Sequence, residues 1–435
     1  MYCLMGKFLN LTMTEDYLHY IWKYKLFNQV GLKTTEEVEV EILNFGFHNH
    51  DSGPDFSQGK VKIGETLWAG NIEIHIRSSD WLKHNHQLDE AYDTVVLHVV
   101  YEHDQVIRTT KGSVIPTLEL RSLIDLCHFE NYQQFIFSSV PCEHSIQEVP
   151  TVIVSSMMEQ MVTERLAAKA AKIKEDLAAT HFDWEQVFFH YLAKAMGMKI
   201  NSEPMLQMAK NTHLSILSKL GGNQQAIESI LFGQAGFLAK EIPSNSYYTS
   251  LKKEYKYQQS KHNLIPIQKV FWKFSKLRPS NFPTVRIAQL SRLLSHTSGL
   301  FHFFVVSQPS YQDIQKQLTI SIDQGFWLNH YTFETVSSQK KKSIGKSLVD
   351  SIIINTIAPF LYTYGEYQDN KEFIDRGIEL LVNVPPERNK IIRIFQEKVR
   401  IHNAADSQGI IQCYSQYCVP KKCLDCSVGI HLLKQ

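Results

Sequence analysis

The sequence predicts an α+β fold, with a mixed first part followed by a mainly α-helical body. Three observations carry this. One helix-periodic segment precedes several short runs that alternate apolar and polar residues, as half-buried strands do. From about Thr151 onward, segment after segment repeats with a helical period. Four of the seven cysteines crowd the C-terminal tail. Composition shifts and proline or glycine punctuation suggest three parts: residues 1–145, 151–298 and 299–435.

The first helix is expected over Glu15–Phe27, with Thr14 as its cap and Tyr17, Leu18, Ile21, Trp22 and Leu26 on one face. Strands are expected over Val38–Leu43, Lys60–Gly64 and in LWAGNIEIHI, the last two joined at Gly64-Glu65. Ser79–Leu88 reads as a short helix. Thr94–Tyr101 has the β-branched density of a central strand. The order is α-β-β-β-α-β. Beyond Thr151, MMEQMVTERLAAKAAKIKEDLAA is a long amphipathic helix, and Asp183 caps WEQVFFHYLAKAMG. Gly221-Gly222, Pro243 and Pro266 interrupt the helices that follow. The run Lys340-Lys341-Lys342 is expected to be a solvated turn.

A formal net charge of +1 names no partner. The longest apolar run, SIIINTIAPFLYTYG, is too short for a membrane span and contains Asn355 and Pro359, so no membrane is expected. The N-terminus lacks a secretory pattern. With an odd cysteine count, a reducing, cytoplasmic setting is expected.

Seven of the nineteen histidines (His48, His50, His75, His84, His86, His98 and His103) fall between His48 and Asp104, interleaved with acids. Within this stretch Glu73 and His75 stand two apart on a strand and therefore share a face. Asp55 immediately precedes the neighbouring strand. Two carboxylates and a base placed this way can converge on a divalent ion. Magnesium or manganese suits oxygen ligands and can acidify a water for phosphodiester hydrolysis. His48 and His50 read as loop residues and His98 as a core histidine. His84-x-His86 with Asp89 reads either as a second metal site or as a polar helix face.

The strand order with PD…ExH resembles the PD-(D/E)xK nuclease superfamily. That resemblance implies a restriction-endonuclease-like αβββαβ domain in which Asp55 and Glu73 bind metal. His75 stands where the family has a water-assisting lysine, and Glu15 could match an extra helical acid used by some members. Histidine titrates near neutrality and ligates softer ions, which shifts the expectation towards manganese, iron or zinc. Over nearly its full length the chain also resembles the uncharacterised bacterial family catalogued as domain of unknown function 2851. The matching segments are GPDF, GNIEIH, SSDW, LHVVY, LFGQAGFL, RPSNFPTVRIAQL and the terminal YC…KKCLDC…G.

Between Lys252 and Arg292 ten basic residues face one acid, Glu254, a local charge of +9. Lys269, Lys273, Lys276, Arg278 and Arg286 are the candidate contacts to DNA or RNA phosphates, with aromatics interleaved that could stack bases or simply be core. RPSNFPTVR reads as an exposed rigid loop. Cys413, Cys418, Cys423 and Cys426 could hold zinc or an iron–sulfur cluster, with His431 as an alternative fourth ligand. Such a centre would tie the tail to the helical body. The leading functional expectation is a metal-dependent nuclease in which His75 positions or deprotonates water. The alternatives are a catalytically inactive nucleic-acid-binding or scaffold protein and a hydrolase of small phosphoesters.

Overall fold

The structure is a computed structural model. It describes residues 13–434 except 50–52, 126–128, 131, 133–134, 136–139, 243–244 and 269–271. Cys3, His50, Cys127, Pro243 and Lys269 therefore lie outside the described residues. The chain divides into two units: Met1–Val154 together with Tyr414–Gln435, and Ser155–Cys413. In this division the tail falls with the first unit and not with the helical body.

In the first unit, helix α1 (Glu15–Tyr24) starts where the Thr14 hydroxyl accepts the Tyr17 N–H and ends at Lys25 in a left-handed cap. Its apolar stripe of Tyr17, Leu18, Ile21 and Trp22 is fully buried. The six strands are β1 (Val40–Asn44), β2 (Phe47–His48), β3 (Phe56–Ile63), β4 (Thr66–Arg77), β5 (Val95–Glu102) and β6 (Thr117–Glu119). They make one sheet in the order β1-β3-β4-β5-β6, with β2 added to β3. β1, β3 and β4 are antiparallel, whereas β4, β5 and β6 run parallel. The expected element order is thus present, with β2 and β6 added.

Strand β4 changes role along its length. It pairs with β3 from Thr66 onward, and from Asn71 it also pairs with β5. The crossing point is Gly70, where a Cβ would come within 2.5 Å of the Thr94 carbonyl oxygen. Only glycine permits that approach. Beyond it, Ile72 and Ile74 enter the main core with Leu97 and Val99 of β5 and the stripe of α1. By alternation Glu73 and His75 face the other way, and the register sets Glu73 beside His98. On that side Trp81, Val95, Ile107 and Ile115 form a small separate core.

The tail completes the main core. Leu433 is buried in it, and Leu424 and Ile430 pack against it. The Lys434 ammonium sits 3.9 Å from the Tyr24 ring centroid.

The second unit is helical, with one extensive core. Two of its segments explain themselves by packing. In LFGQAGFL, a Cβ on Gly233 would lie 2.1 Å from the Tyr255 ring, and the Tyr255 hydroxyl donates to Gln234 at 2.9 Å. Trp272 donates to the Ala235 carbonyl at 2.7 Å. In RPSNFPTVRIAQL, a helix starts at Pro283 and places Arg286 inside the protein. Lys342 does not lie in a solvated turn. It is buried, and its ammonium donates to the carbonyls of Trp327, Leu328 and Lys340.

Candidate metal centre

Asp55 and Glu73 do converge. The Asp55 N–H donates to Glu73 Oε2 at 3.0 Å, and the Ile74 N–H donates to Asp55 Oδ2 at 3.0 Å. Each strand thereby holds the other's carboxylate. Burial raises the Glu73 pKa, opposed by its bond to His86, and the nearby Asp55 charge raises it further.

His75 is 1% exposed and faces imidazoles on both sides. Its Nδ1 is 2.9 Å from His98 Nε2, and its Nε2 is 3.1 Å from His84 Nδ1. His75 Nε2 also lies 3.7 Å from Glu73 Oε1, and His86 Nε2 lies 3.3 Å from the same oxygen. Ligand atoms of His75, His84 and His86 all fall within 4.8 Å of one another. Two nitrogens bound to one ion at about 2.05 Å in a tetrahedral arrangement stand about 3.3 Å apart, so the 3.1 Å hydrogen bond between His75 and His84 is also compatible with shared ligation. Burial, reinforced by His98, His84 and His86, pushes the His75 pKa down to about 2. His98, fully enclosed, is pushed down to about 3. Both rings are neutral, the form that ligates metals. When His75 gives its Nδ1 proton to His98, its Nε2 lone pair is left facing His84, the arrangement in which a second group orients a ligating histidine.

A chain of local interactions delivers His84 and His86 to this place. Ser78 Oγ meets His103 Nδ1 at 2.7 Å. Asp104 accepts from the Ser79 N–H at 2.9 Å and the Ser79 hydroxyl at 2.7 Å. These contacts join the end of β4 to the end of β5. Asp80 accepts the Arg77 N–H and begins α2 (Asp80–Lys83). Asn85, left-handed at φ 61°, then turns the chain back. Trp81 is fully buried, edge-on to His75, His86 and His98, and Tyr92 stacks on His86 with centroids 3.7 Å apart. Asp89 is elsewhere engaged, capping the turn at Ala91. His84-x-His86 is thus part of the Glu73–His75 cluster, without Asp89.

Helix α1 adds two groups. His19 Nε2 lies 3.1 Å from Asp55 Oδ2; burial is the largest influence and lowers the His19 pKa, but this bond together with the charges of Asp55, Asp16 and Glu15 raises it overall. Glu15, one turn earlier, is raised chiefly by burial and feels the charges of His84, Asp55 and His19. The Glu15–His19 spacing of four residues was the available sequence signal for His19.

The other candidate residues are dispersed. Arg286 is 5% exposed, donating to Gln289 at 2.8 Å and Asn281 at 2.7 Å, so it is a packing residue and not a phosphate clamp. Of the basic segment, Lys253, Lys256, Lys261, Lys273, Lys276 and Arg278 are exposed. Tyr255 and Trp272 are core residues. Cys418, Cys423 and Cys426 lie in the tail of the first unit, whereas Cys413 ends a helix of the second. The thiol acted on by all three tail cysteines is Cys142.

No helix among the described residues is long and apolar enough to cross a membrane. No curated protein and no solved structure matches the chain. The model of one family, described as protein of unknown function DUF2851, matches residues 15–390. That span runs from Glu15 of α1 through the whole imidazole–carboxylate cluster and most of the second unit, and the chain belongs to the DUF2851 family.

Proposed function

We propose that this protein is a metal-dependent phosphodiester hydrolase acting on nucleic acid, with a restriction-endonuclease-like first unit and a nitrogen-rich metal centre. The observation that carries this reading is the grouping of His75, His84 and His86 at ligand spacing with Glu73 beside them and Asp55 bonded to Glu73 through its N–H. The strand order supports the nuclease likeness: an antiparallel trio followed by a parallel strand, with the two carboxylates at the strand positions that family uses.

The donor set fits manganese, iron or zinc better than magnesium, because three imidazoles suit borderline ions. His75, His84, His86 and Glu73 would hold the ion, with Asp55 beside them. When bound, such an ion lowers the pKa of a coordinated water and steadies charge on a phosphoryl oxygen. His75, enclosed between two rings, is a ligand in this reading and not the base that handles water. His19, exposed in part and bonded to Asp55, would orient that carboxylate and move a proton at the attacking water. The six exposed cations of the second unit would neutralise backbone phosphates.

The test is cleavage of labelled single- and double-stranded DNA and RNA with manganese, zinc, iron or magnesium, alongside calorimetric metal titration. Turnover that is lost in Asp55→Ala and Glu73→Gln supports the reading. No cleavage, with metal affinity unchanged in either variant, refutes it. Salt-dependent nucleic-acid binding without turnover would assign a catalytically inactive binder instead.

A further inference from the structure

The sheet face that carries Glu73 and His75 continues past them as an open surface. On β4 the side chains of Leu67, Ala69 and Asn71 alternate onto that same face. Its two ends differ. Over Glu73 and His75 it is roofed by His84, His86 and the ring of Trp81, and both residues are buried. At the other end Leu67 is 63% exposed and Ala69 is exposed as well. Strand β5 accompanies β4 only from Asn71 onward, so the stretch from Thr66 to Gly70 reaches beyond it with β3 on its paired edge. Asn71 marks the step between the two ends. Its amide donates to Thr94 Oγ1 at 2.8 Å and accepts the Gln58 N–H at 3.3 Å.

Register fixes what stands beside the open end. Lys60 pairs with Ala69 and Lys62 with Leu67, so both lysines project from the face of Glu73. Lys60 is exposed and Lys62 is half-buried. Among the described residues neither is held in an ion pair. On β2, His48 pairs with Phe56 and stacks on it, and Phe56 belongs to the main core. Phe47, the neighbour of His48, pairs with Ser57 and therefore turns away from that core, 65% exposed. An acid, Glu41, stands across from Lys62 on β1. It repels phosphates, which favours a path over β3 and β4.

An uncovered ring, two cations without protein partners and a small-residue floor at Ala69 suit a single strand of nucleic acid. Bases stack on an aromatic face and lysines neutralise phosphates. A duplex keeps its base faces stacked on one another and offers Phe47 nothing to cover it. Distances along the strand fit as well. At about 3.3 Å per residue, Ala69 lies about 13 Å and Leu67 about 20 Å from Glu73. Lys60 and Lys62 stand at those two levels. The step of about 7 Å between them is comparable with the separation of neighbouring phosphates in an extended single strand.

We propose that the open end of this face is a track for single-stranded nucleic acid, on which Phe47 stacks a base and Lys60 and Lys62 hold consecutive phosphates leading to the metal centre. The track names the substrate class of the hydrolase and rests on that reading for what happens at its end. Binding along it needs neither metal nor turnover.

The experiment is fluorescence anisotropy of the full chain, with metal removed by chelation, against short labelled thymidine and uridine homopolymers and a duplex of equal length. Each titration is repeated across a salt series. The single strands should bind more tightly than the duplex, and the preference between the two homopolymers tells DNA from RNA. Phe47→Ala should weaken single-strand binding roughly tenfold, and Phe47→Tyr, which keeps a ring, should retain it. Lys60→Ala and Lys62→Ala should each reduce the logarithmic salt slope by about 0.7. The proposal is overturned if the wild-type chain binds no single strand, or binds the duplex as tightly. It is also overturned if Phe47→Ala and both lysine variants bind as the wild type does, or if Phe47→Tyr loses as much affinity as Phe47→Ala. Single-strand binding that these substitutions weaken, in a protein that cleaves nothing with any metal, would keep the track and refute the hydrolase. Cleavage that none of them alters would do the reverse.

Discussion

Buried polar groups in the two units are treated in opposite ways. In the second unit three of them rest on protein partners. Glu228 accepts from the Trp327 indole, Lys342 donates to three carbonyls, and the terminal nitrogens of Arg286 rest on Asn281 and Gln289. In the first unit ionisable groups of like kind are gathered together. Imidazole nitrogens of His75 and His84 meet at 3.1 Å, those of His75 and His98 at 2.9 Å, and Glu73 is held beside Asp55. A network matched by neutral partners stabilises one structure, whereas a cluster of imidazoles and carboxylates can exchange its internal hydrogen bonds for an ion. On the reading proposed above, the difference separates residues that serve architecture from residues that would serve a ligand.

That comparison can be broken or sharpened by experiment, and the largest effect is expected at Glu228. Burial raises its pKa from 4.5 to about 7. The folded chain therefore binds a proton that the unfolded chain has released between those values. Stability is fullest below pH 4.5 and falls by about 3 kcal/mol as pH rises through 7. Glu228→Gln should flatten that slope in urea titrations run across this pH window. A slope unchanged by the substitution would mean the carboxyl is not buried as described.

Arg286→Ala should cost roughly 2–3 kcal/mol, because Asn281 and Gln289 lose their donor in the interior. Its unfolding midpoint should drop while salt-dependent nucleic-acid binding stays as in the wild type. In the first unit the sign should reverse. His84→Ala should leave the metal-free protein as stable as wild type, or more so. A metal at about 100 times its dissociation constant should stabilise wild type by about 2.7 kcal/mol and the variant far less. A loss of metal-free stability in His84→Ala matching that of Arg286→Ala would erase the distinction between the units.

His98→Ala removes the group behind His75 and should weaken metal binding by roughly 10–100-fold, read by calorimetry. The smallest effect is expected at Arg278, which is exposed. Arg278→Ala should reduce the logarithmic salt slope of nucleic-acid binding by about 1, with stability within about 0.5 kcal/mol of wild type.

The parts of this molecule visible in its sequence are those set by short-range periodicity. The apolar stripe of α1, the alternation of Glu73 and His75 against Ile72 and Ile74, and the density of Leu97 to Val100 all follow from a repeat of 3.6 or 2. Asp55 and Glu73 were visible because each borders or occupies such a strand. The rest depended on irregular backbone or distant contacts. His84 and His86 reach the site through a left-handed Asn85 and a latch between Ser79 and Asp104, which leave no periodic trace. Arg286 looked solvent-facing because two prolines flank its segment. Pro283 instead starts a helix that turns the guanidinium inward. Lys342 sat in a run of three lysines, and composition alone could not separate the one that caps buried carbonyls from its exposed neighbours.

Leu433 sits in the same core as Leu18 and Ile72, yet the second unit is encoded between them. During synthesis the early strands therefore wait for their last packing partner. At roughly 5–20 residues per second, translating residues 155–413 takes on the order of 10–50 s. For that interval the nascent first unit has an open flank where Leu424, Ile430 and Leu433 will dock. The first unit completes its core only once these three side chains have been made.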